Sequence, residues 1–392
     1  PRSKIIIDDA KAFFAGQQRK YDIIVSEPSN PWISGIGSLF SVEFYKYINN
    51  HLNEGGIFVQ WIQLYEINDG LVSTVLRGLT SSFSDYEAWL TNSADLLIIA
   101  KHKGSIPKLN WDNLSRINKQ ELSDIGIKNI DQLIIRKIGN KQLLDAYSSI
   151  DNSYPPNSVY FPVLGLNAPK ARYTKSIEST LITLPVSGPL LLDVLNIRKP
   201  MPFDSDVSPF PIFNGDRLTR QARALNRLFL HGPDKESFYG SDDDFNISSA
   251  QRLRSLISVC VDPRTNAVSE EFARVMFDYS QLTLPFLSSA DMRSTWKNSS
   301  WSGCNPMPTD LSLLLKLHQA LADREWTSVP DIGRTWFNST RSASLSSYFD
   351  AVVFYSMQLA SLHAGDTKAM RSADATFGHK VNWPSTLIKQ RA

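Results

Sequence analysis

The stretch from Tyr21 to Trp32, YDIIVSEPSNPW, decides the fold of the first part of this chain. Its first six residues form a mainly apolar run rich in β-branched side chains, which is typical of a strand buried in a sheet. The strand ends at Glu27, because Pro28 and Pro31 can neither donate to a ladder nor continue a helix. Ligands of open parallel sheets bind outside the carboxyl ends of the strands. We therefore expect the loop after this strand to belong to a functional site.

Strands and helices are predicted to alternate on both sides of this stretch. Further strands are predicted at residues 4–7 and 57–61, and a closing hairpin at residues 87–101. A helix is predicted over residues 38–52 and another over 72–83, because their apolar residues recur at helical spacing. The buried face of the first of these helices is predicted to hold Phe40, Phe44, Ile48 and Leu52. This order predicts the α/β class, with a mostly parallel sheet and an antiparallel pair at one edge.

The rest of the chain is predicted to be mainly helical. Residues 1–105 form the predicted α/β domain, 106–200 a helical and irregular continuation, and 201–392 a helical C-terminal domain of unknown role. Residues 110–150 are predicted to be helical, and residues 158–164 to be extended. Helices are predicted in the last region at 216–231, 247–259, 267–280, 308–323 and 344–364.

The composition excludes several classes of protein. A net charge of +2 over 392 residues provides no broad field for nucleic acid or an anionic membrane. Cys260 and Cys304 stand far apart with no paired histidines, so neither a zinc site nor a disulfide framework is predicted, and no metal is expected. No uninterrupted apolar run of about 18 residues occurs, so no membrane span is predicted in this chain.

Polar residues with chemical potential follow the predicted strands. Asp9 and Ala10 follow the first strand, Glu27 follows the second, and Gln60 interrupts the third. A carboxylate held at a strand end by a proline-stiffened loop is suited to act as a general base. The alternative is that Asp9 caps the next helix and Glu27 is a solvated loop residue. A buried amide such as Gln60 needs a partner, either a ligand or a polar network.

Four segments together resemble the spermidine/spermine synthase family, and most closely its bacterial branch of spermidine synthase-like proteins often fused to membrane segments. The matching motifs lie at residues 8–14, 21–32, 37–45 and 55–61, in the family's order and spacing. The resemblance covers roughly residues 1 to 105. It implies the fold of class I S-adenosylmethionine-dependent methyltransferases, a Rossmann-like sheet with strand order 3-2-1-4-5-7-6.

The resemblance also implies an activity, the transfer of an aminopropyl group from decarboxylated S-adenosylmethionine to a small amine such as putrescine. Glu27 occupies the position of the family's catalytic aspartate, where it would take a proton from the attacking amine. Residues implied on the nucleoside side are Asp9, Ala10, Ser29 and Pro31, and those on the amine side are Asn30, Gln60 and Tyr65. A homodimer is also compatible with this resemblance.

Two departures from the family pattern concern the amine. Glu27 is one methylene longer than aspartate, and Asn30 stands where the family has a second carboxylate. Replacing a carboxylate with a neutral amide removes a charge-assisted hydrogen bond worth about 1.5–3 kcal/mol. An acceptor other than putrescine therefore stays open.

A glycine-rich loop that would cradle the methionine part of the nucleoside does not occur in the sequence. We therefore expect the chain to be an N-terminally truncated piece of a longer protein and not to catalyse the reaction alone. Membrane segments would lie upstream, placing the domain in the cytoplasm or at the cytoplasmic face of a membrane. Two alternatives remain: a methyltransferase-fold protein that is inactive or has another acceptor, and a helical protein-binding module on an α/β scaffold.

Overall fold

The chain forms two compact units, Pro1–Ser187 and Gly188–Ala392. The structure is a computed structural model and describes residues 3–91, 94–150, 153–187, 189–198, 214–232, 251–252, 254–255, 266–296, 307–340 and 343–381. The domain boundaries near residues 105 and 200 stay predictions.

The first unit is built on a five-stranded sheet. Its strands are β1 (Tyr21–Ser26), β2 (Leu52–Gln63), β3 (Asp85–Leu90), β4 (Asp95–Lys101) and β5 (Lys137–Asn140). They lie in the order β1-β2-β4-β3-β5. The first four match strands 4, 5, 7 and 6 of the order implied by the resemblance, so the α/β, Rossmann-like class is confirmed.

Two details of the predicted sheet are wrong for the described residues. Only β1 and β2 pair in parallel, and the other three pairings are antiparallel. Residues 4–7 form no strand, and Ile5 and Ile7 are 89% and 98% exposed. A β-branched run becomes a strand only where a neighbour takes its backbone N–H and C=O groups, and residues 4–7 join no ladder. Ile138 was expected on a helix but lies on β5.

The helices of the first unit confirm the periodicity of the sequence. They are α1 (Ala10–Ala15), α2 (Val42–Asn50), α3 (Asp69–Thr80), α4 (Arg116–Asp124), α5 (Ile130–Ile134), α6 (Lys141–Ile150), α7 (Val163–Tyr173) and α8 (Thr180–Ser187). All four apolar residues predicted for the first buried face are buried. The α2 helix itself starts later than predicted, because the Ser41 hydroxyl accepts from the Phe44 N–H at 3.2 Å as an N-cap. Residues 158–164 are not extended throughout, since α7 begins at Val163.

The core of the first unit lies on one face of the sheet. Tyr45 packs edge-on against Phe58 and Phe83, and the latter two rings stack at 5.5 Å. On the opposite face of the edge strand β1, Ile23 and Val25 are 62% and 63% exposed. The strand predicted to be buried is thus buried on one side only.

The second unit is helical. Its helices are α9 (Pro189–Val194), α10 (Asn214–His231), α11 (Asn266–Thr283), α12 (Ser289–Met292), α13 (Thr309–Asp323), α14 (Val329–Asn338), α15 (Ala343–His363) and α16 (Thr367–Phe377). Four predicted helices are confirmed by α10, α11, α13 and α15, while α14 and α16 were not predicted. The helix predicted at 247–259 lies largely outside the described residues. Among the described helices, none has both the length and the apolar character needed to cross a membrane.

Candidate active site

Parallel pairing brings the exits of β1 and β2 together. Ser26 pairs with Gln60 in the ladder, and Gln60 Nε2 donates to the carbonyl oxygens of Ser26 at 3.3 Å and Trp61 at 3.0 Å. Gln60 is fully buried, and in the described part of the chain its Oε1 has no hydrogen-bond partner. An unpaired buried carbonyl oxygen is costly. This strand end therefore retains an unmet capacity to accept a hydrogen bond.

The proline loop after β1 leads from Glu27 to Trp32. Glu27 and Ser29 are exposed, whereas Pro31 is buried and anchors the loop. Asn30 Nδ2 donates to the Tyr65 hydroxyl at 3.4 Å. The structure thus brings together Asn30 and Tyr65, two residues predicted on the amine side, directly beyond the paired strand exits.

An arginine not predicted from the sequence lies beside this loop. The guanidinium carbon of Arg172 lies 5.0 Å from the centre of the Trp32 ring, and its Nε lies 3.5 Å from Oε2 of Glu66. Trp32 in turn packs against Tyr65, with ring centres 6.4 Å apart. Glu66 follows β2 with a left-handed φ of 54°, a conformation uncommon for residues other than glycine. These contacts form an aromatic wall with one cation.

Asp9 caps α1. Its Oδ1 accepts hydrogen bonds from the backbone N–H groups of Lys11 and Ala12, both at 3.0 Å. The capping alternative is therefore present in the structure. Ala10 is the first residue of that helix.

A cavity of about 590 Å³ lies between the start of the chain and β1. Ala10 and Asp8 line it, together with Phe13, Phe14 and Tyr21, but Asp9, Glu27 and Gln60 do not. A common site for Asp9 and Glu27 stays a prediction.

Comparison with known proteins adds to this geometry. Residues 1–93 match the spermine/spermidine synthase domain. The resemblance seen in the sequence is confirmed for this part of the chain.

Several polyamine aminopropyltransferases are similar over the same region. The enzyme named so in Buchnera aphidicola subsp. Acyrthosiphon pisum is 30% identical over 132 residues, 33% of this chain and 43% of that protein. Polyamine aminopropyltransferase 1 of Pseudomonas aeruginosa is 35% identical over 94 residues, 22% of this chain and 32% of that protein. The one from Serratia proteamaculans is 44% identical over 59 residues, 15% of this chain and 20% of that protein. The chain thus spans less than half the length of these relatives.

A buried carboxyl group lies behind the spermine/spermidine synthase domain's site and was missed by sequence reasoning. Glu178 is fully buried, and its backbone N–H donates to the Leu64 carbonyl oxygen at 2.9 Å, one residue before Tyr65. Its neighbour Ile177 forms an isolated bridge with Tyr65. Burial raises the pKa of Glu178 to about 7. A single glutamate before an apolar helix gives no sequence signal of such an environment.

Within the described ranges, no group of three or more His, Cys, Asp or Glu side chains is placed to hold a metal ion.

Proposed function

We propose that this chain contributes to the transfer of an aminopropyl group from decarboxylated S-adenosylmethionine to an amine. The observation that supports it most is the buried amide of Gln60 at the joined exits of β1 and β2. Its unpaired Oε1 matches what an amine N–H group would donate to. The match of residues 1–93 to the spermine/spermidine synthase domain gives this amide its chemical context.

In the proposed reaction, Glu27 removes a proton from the acceptor ammonium. An aliphatic ammonium has a pKa of about 10 and no free lone pair, so the nucleophile must first lose this proton. The nitrogen lone pair then attacks the propyl carbon beside the sulfonium. A C–N bond forms, the C–S bond breaks, and its electron pair stays on the sulfur of the leaving methylthioadenosine.

The other predicted residues position the two substrates. Asp9 and Ala10 hold the adenine amino group, and Ser29 and Pro31 shape the nucleoside side of the loop. Asn30, Gln60 and Tyr65 contact the amine. The finer proposal is that turnover also needs a glycine-rich loop, which the 392 residues lack. A location in the cytoplasm or at a membrane's cytoplasmic face, and a homodimer, belong to the same proposal.

A second candidate is a methyltransferase-fold protein with another acceptor. It is favoured by Asn30, whose neutral amide bonds to Tyr65 where the family pattern has a carboxylate. Transfer of methyl instead of aminopropyl, or no transfer, would then follow from the same scaffold.

The test combines binding with product analysis. Calorimetry with 5′-methylthioadenosine is performed on the chain and on the longest natural polypeptide that contains it. Mass spectrometry then identifies products formed from putrescine and decarboxylated S-adenosylmethionine. We expect nucleoside binding and an aminopropylated amine. Methylated products would support the second candidate, and the absence of both nucleoside binding and any transfer would refute the proposal.

A further inference from the structure

We propose that the acceptor amine carries a carboxylate, and that Arg172 binds it. This inference rests on the proposed function and names its substrate class. It comes from the position of Arg172 in the last turn of α7, over the ring of Trp32. Trp32 closes the loop that begins with Glu27, so the guanidinium lies on the wall of the amine side.

The charges on this wall do not suit a second ammonium group. Asn30, Trp32 and Tyr65 are neutral, and the carboxylate of Glu66 lies against the Nε of Arg172 at 3.5 Å. A diamine that reached past Glu27 would bring its far ammonium toward a guanidinium. Like charges repel there, whereas a carboxylate on the same chain would be attracted.

The orientation of Arg172 leaves its binding edge available. Its Nε is directed to Glu66 and its flat face to Trp32, and its Nη1 and Nη2 atoms have no partner among the described residues. The guanidinium fork matches a carboxylate in two parallel hydrogen bonds. The side chain is 56% exposed, so a ligand can reach it. Stacking on Trp32 fixes the plane of the fork before the ligand arrives.

The reaction then joins an amino acid to the aminopropyl group. Glu27 takes one proton from the substrate ammonium, the amine nitrogen forms a bond to the propyl carbon, and the C–S bond breaks. The product is an N-aminopropyl amino acid, and methylthioadenosine leaves. The carboxylate stays ionised and paired with Arg172 throughout.

Two probes of equal chain length separate the two classes of acceptor. Putrescine and 4-aminobutyrate share a four-carbon chain and one amine, but the far end is an ammonium in the first and a carboxylate in the second. NMR titration of the 392-residue chain with each probe gives the two dissociation constants. We expect 4-aminobutyrate to bind about tenfold more tightly than putrescine, as a charge-assisted fork contact predicts.

Variants assign the preference to Arg172. In Arg172→Gln, the affinity for 4-aminobutyrate falls about tenfold, while that for putrescine stays unchanged or rises. Arg172→Lys keeps the charge without the fork and gives an intermediate loss, so it replaces the glutamine variant if that one fails to fold. The matched control is Lys170→Gln, an exposed cation on the same helix, which changes neither affinity.

Tighter binding of putrescine by the wild-type chain, failure of 4-aminobutyrate to bind, or an unchanged preference in both Arg172 variants would overturn the inference. Turnover separates it from the proposed function. If 4-aminobutyrate binds through Arg172 but accepts no aminopropyl group, the proposed function fails and the binding site stands. If putrescine is aminopropylated without any dependence on Arg172, the function stands and the carboxylate site fails.

Discussion

The Tyr147 hydroxyl donates a 2.8 Å hydrogen bond to Oε1 of Glu178 inside the first unit. The same carboxyl group accepts from the Leu181 backbone N–H at 2.9 Å and stands before the first turn of α8. Asp69 reinforces this junction, since its Oδ1 accepts from the Ser179 N–H at 3.1 Å. A buried acid therefore joins α6, α8 and the segment that bridges Tyr65.

The first prediction concerns the pH dependence of stability. Burial, with a smaller effect of the Asp69 charge, raises the pKa of Glu178 from 4.5 to about 7. Between these values the folded chain holds a proton that the unfolded chain releases, so the free energy of unfolding falls as pH rises. This contribution is fully present below pH 4.5 and is lost as pH passes about 7. It amounts to at most on the order of 3 kcal/mol.

Urea unfolding of the wild type and Glu178→Gln across this pH interval checks the prediction. Glutamine keeps most of the hydrogen-bonding shape but cannot ionise, so the difference in stability between the two proteins should shrink or change sign as pH rises. Parallel pH profiles would show that Glu178 does not titrate in this interval.

The second prediction concerns the close approach of Gly37 to α7. A Cβ atom on Gly37 would lie 3.0 Å from the backbone N and 3.1 Å from the Cα of Gly165. Backbone cannot turn aside as a flexible side chain can, so Gly37→Ala should destabilise the first unit by about 1–3 kcal/mol.

Gly165→Ala is the matched control. Its Cβ would meet nothing within 4 Å, and the residue lies inside α7. Alanine is there expected to stabilise the chain by about 0.5–1 kcal/mol, because glycine is the poorer helix former. Equal midpoints for the two variants in thermal unfolding would contradict the close approach.

The third prediction concerns a buried ion pair in the second unit. Arg324 Nε lies 2.6 Å from Oδ2 of Asp193, and its Nη2 donates to the carbonyl oxygens of Leu284 and Leu287, each at 3.1 Å. The side chains of the pair are 15% and 9% exposed. Arg324→Met leaves the aspartate buried without its partner, so we expect a loss of about 3–5 kcal/mol.

The exposed pair of Arg334 and Asp331 provides the comparison. Its side chains are 55% and 76% exposed, and Arg334→Gln should change stability by less than about 0.5 kcal/mol. Chemical denaturation followed by tryptophan fluorescence measures both. A loss for Arg324→Met as small as that for Arg334→Gln would show that the buried pair contributes little.

Local signals in the sequence were enough for most elements of the first unit. The prolines at 28 and 31 end β1 where predicted, and the four-residue spacing from Phe40 to Leu52 identifies a buried face. Residues 4–7 carry the same local signal as β1 but form no strand, because pairing depends on a neighbour and not on the run itself.

The candidate site was predictable only in its first half. The loop residues and Gln60 follow strands, so their approach to one another follows from parallel pairing. Arg172 lies far from Trp32 in the sequence, and Glu178 far from Leu64, so only tertiary packing brings these residues together. No periodicity or spacing encodes such contacts. The roles of Asp9 and Glu27 stay predictions, since the structure shows a cap for one and an exposed side chain for the other.

The fourth prediction tests Glu27 as the base. Glu27→Gln removes the proton acceptor while keeping the size of the side chain, so aminopropyl transfer by the polypeptide that contains this chain should fall at least about a hundredfold. The affinity for methylthioadenosine should stay near the wild-type value, because the proposed nucleoside contacts come from other residues. Glu27→Asp shortens the reach by one methylene but keeps the base, so part of the activity should remain. Glu54→Gln, a change of an exposed glutamate on β2, controls for loss of charge and should leave the rate unchanged. Steady-state rates and calorimetry on all four proteins distinguish these outcomes, and full activity in Glu27→Gln would remove this residue from the mechanism.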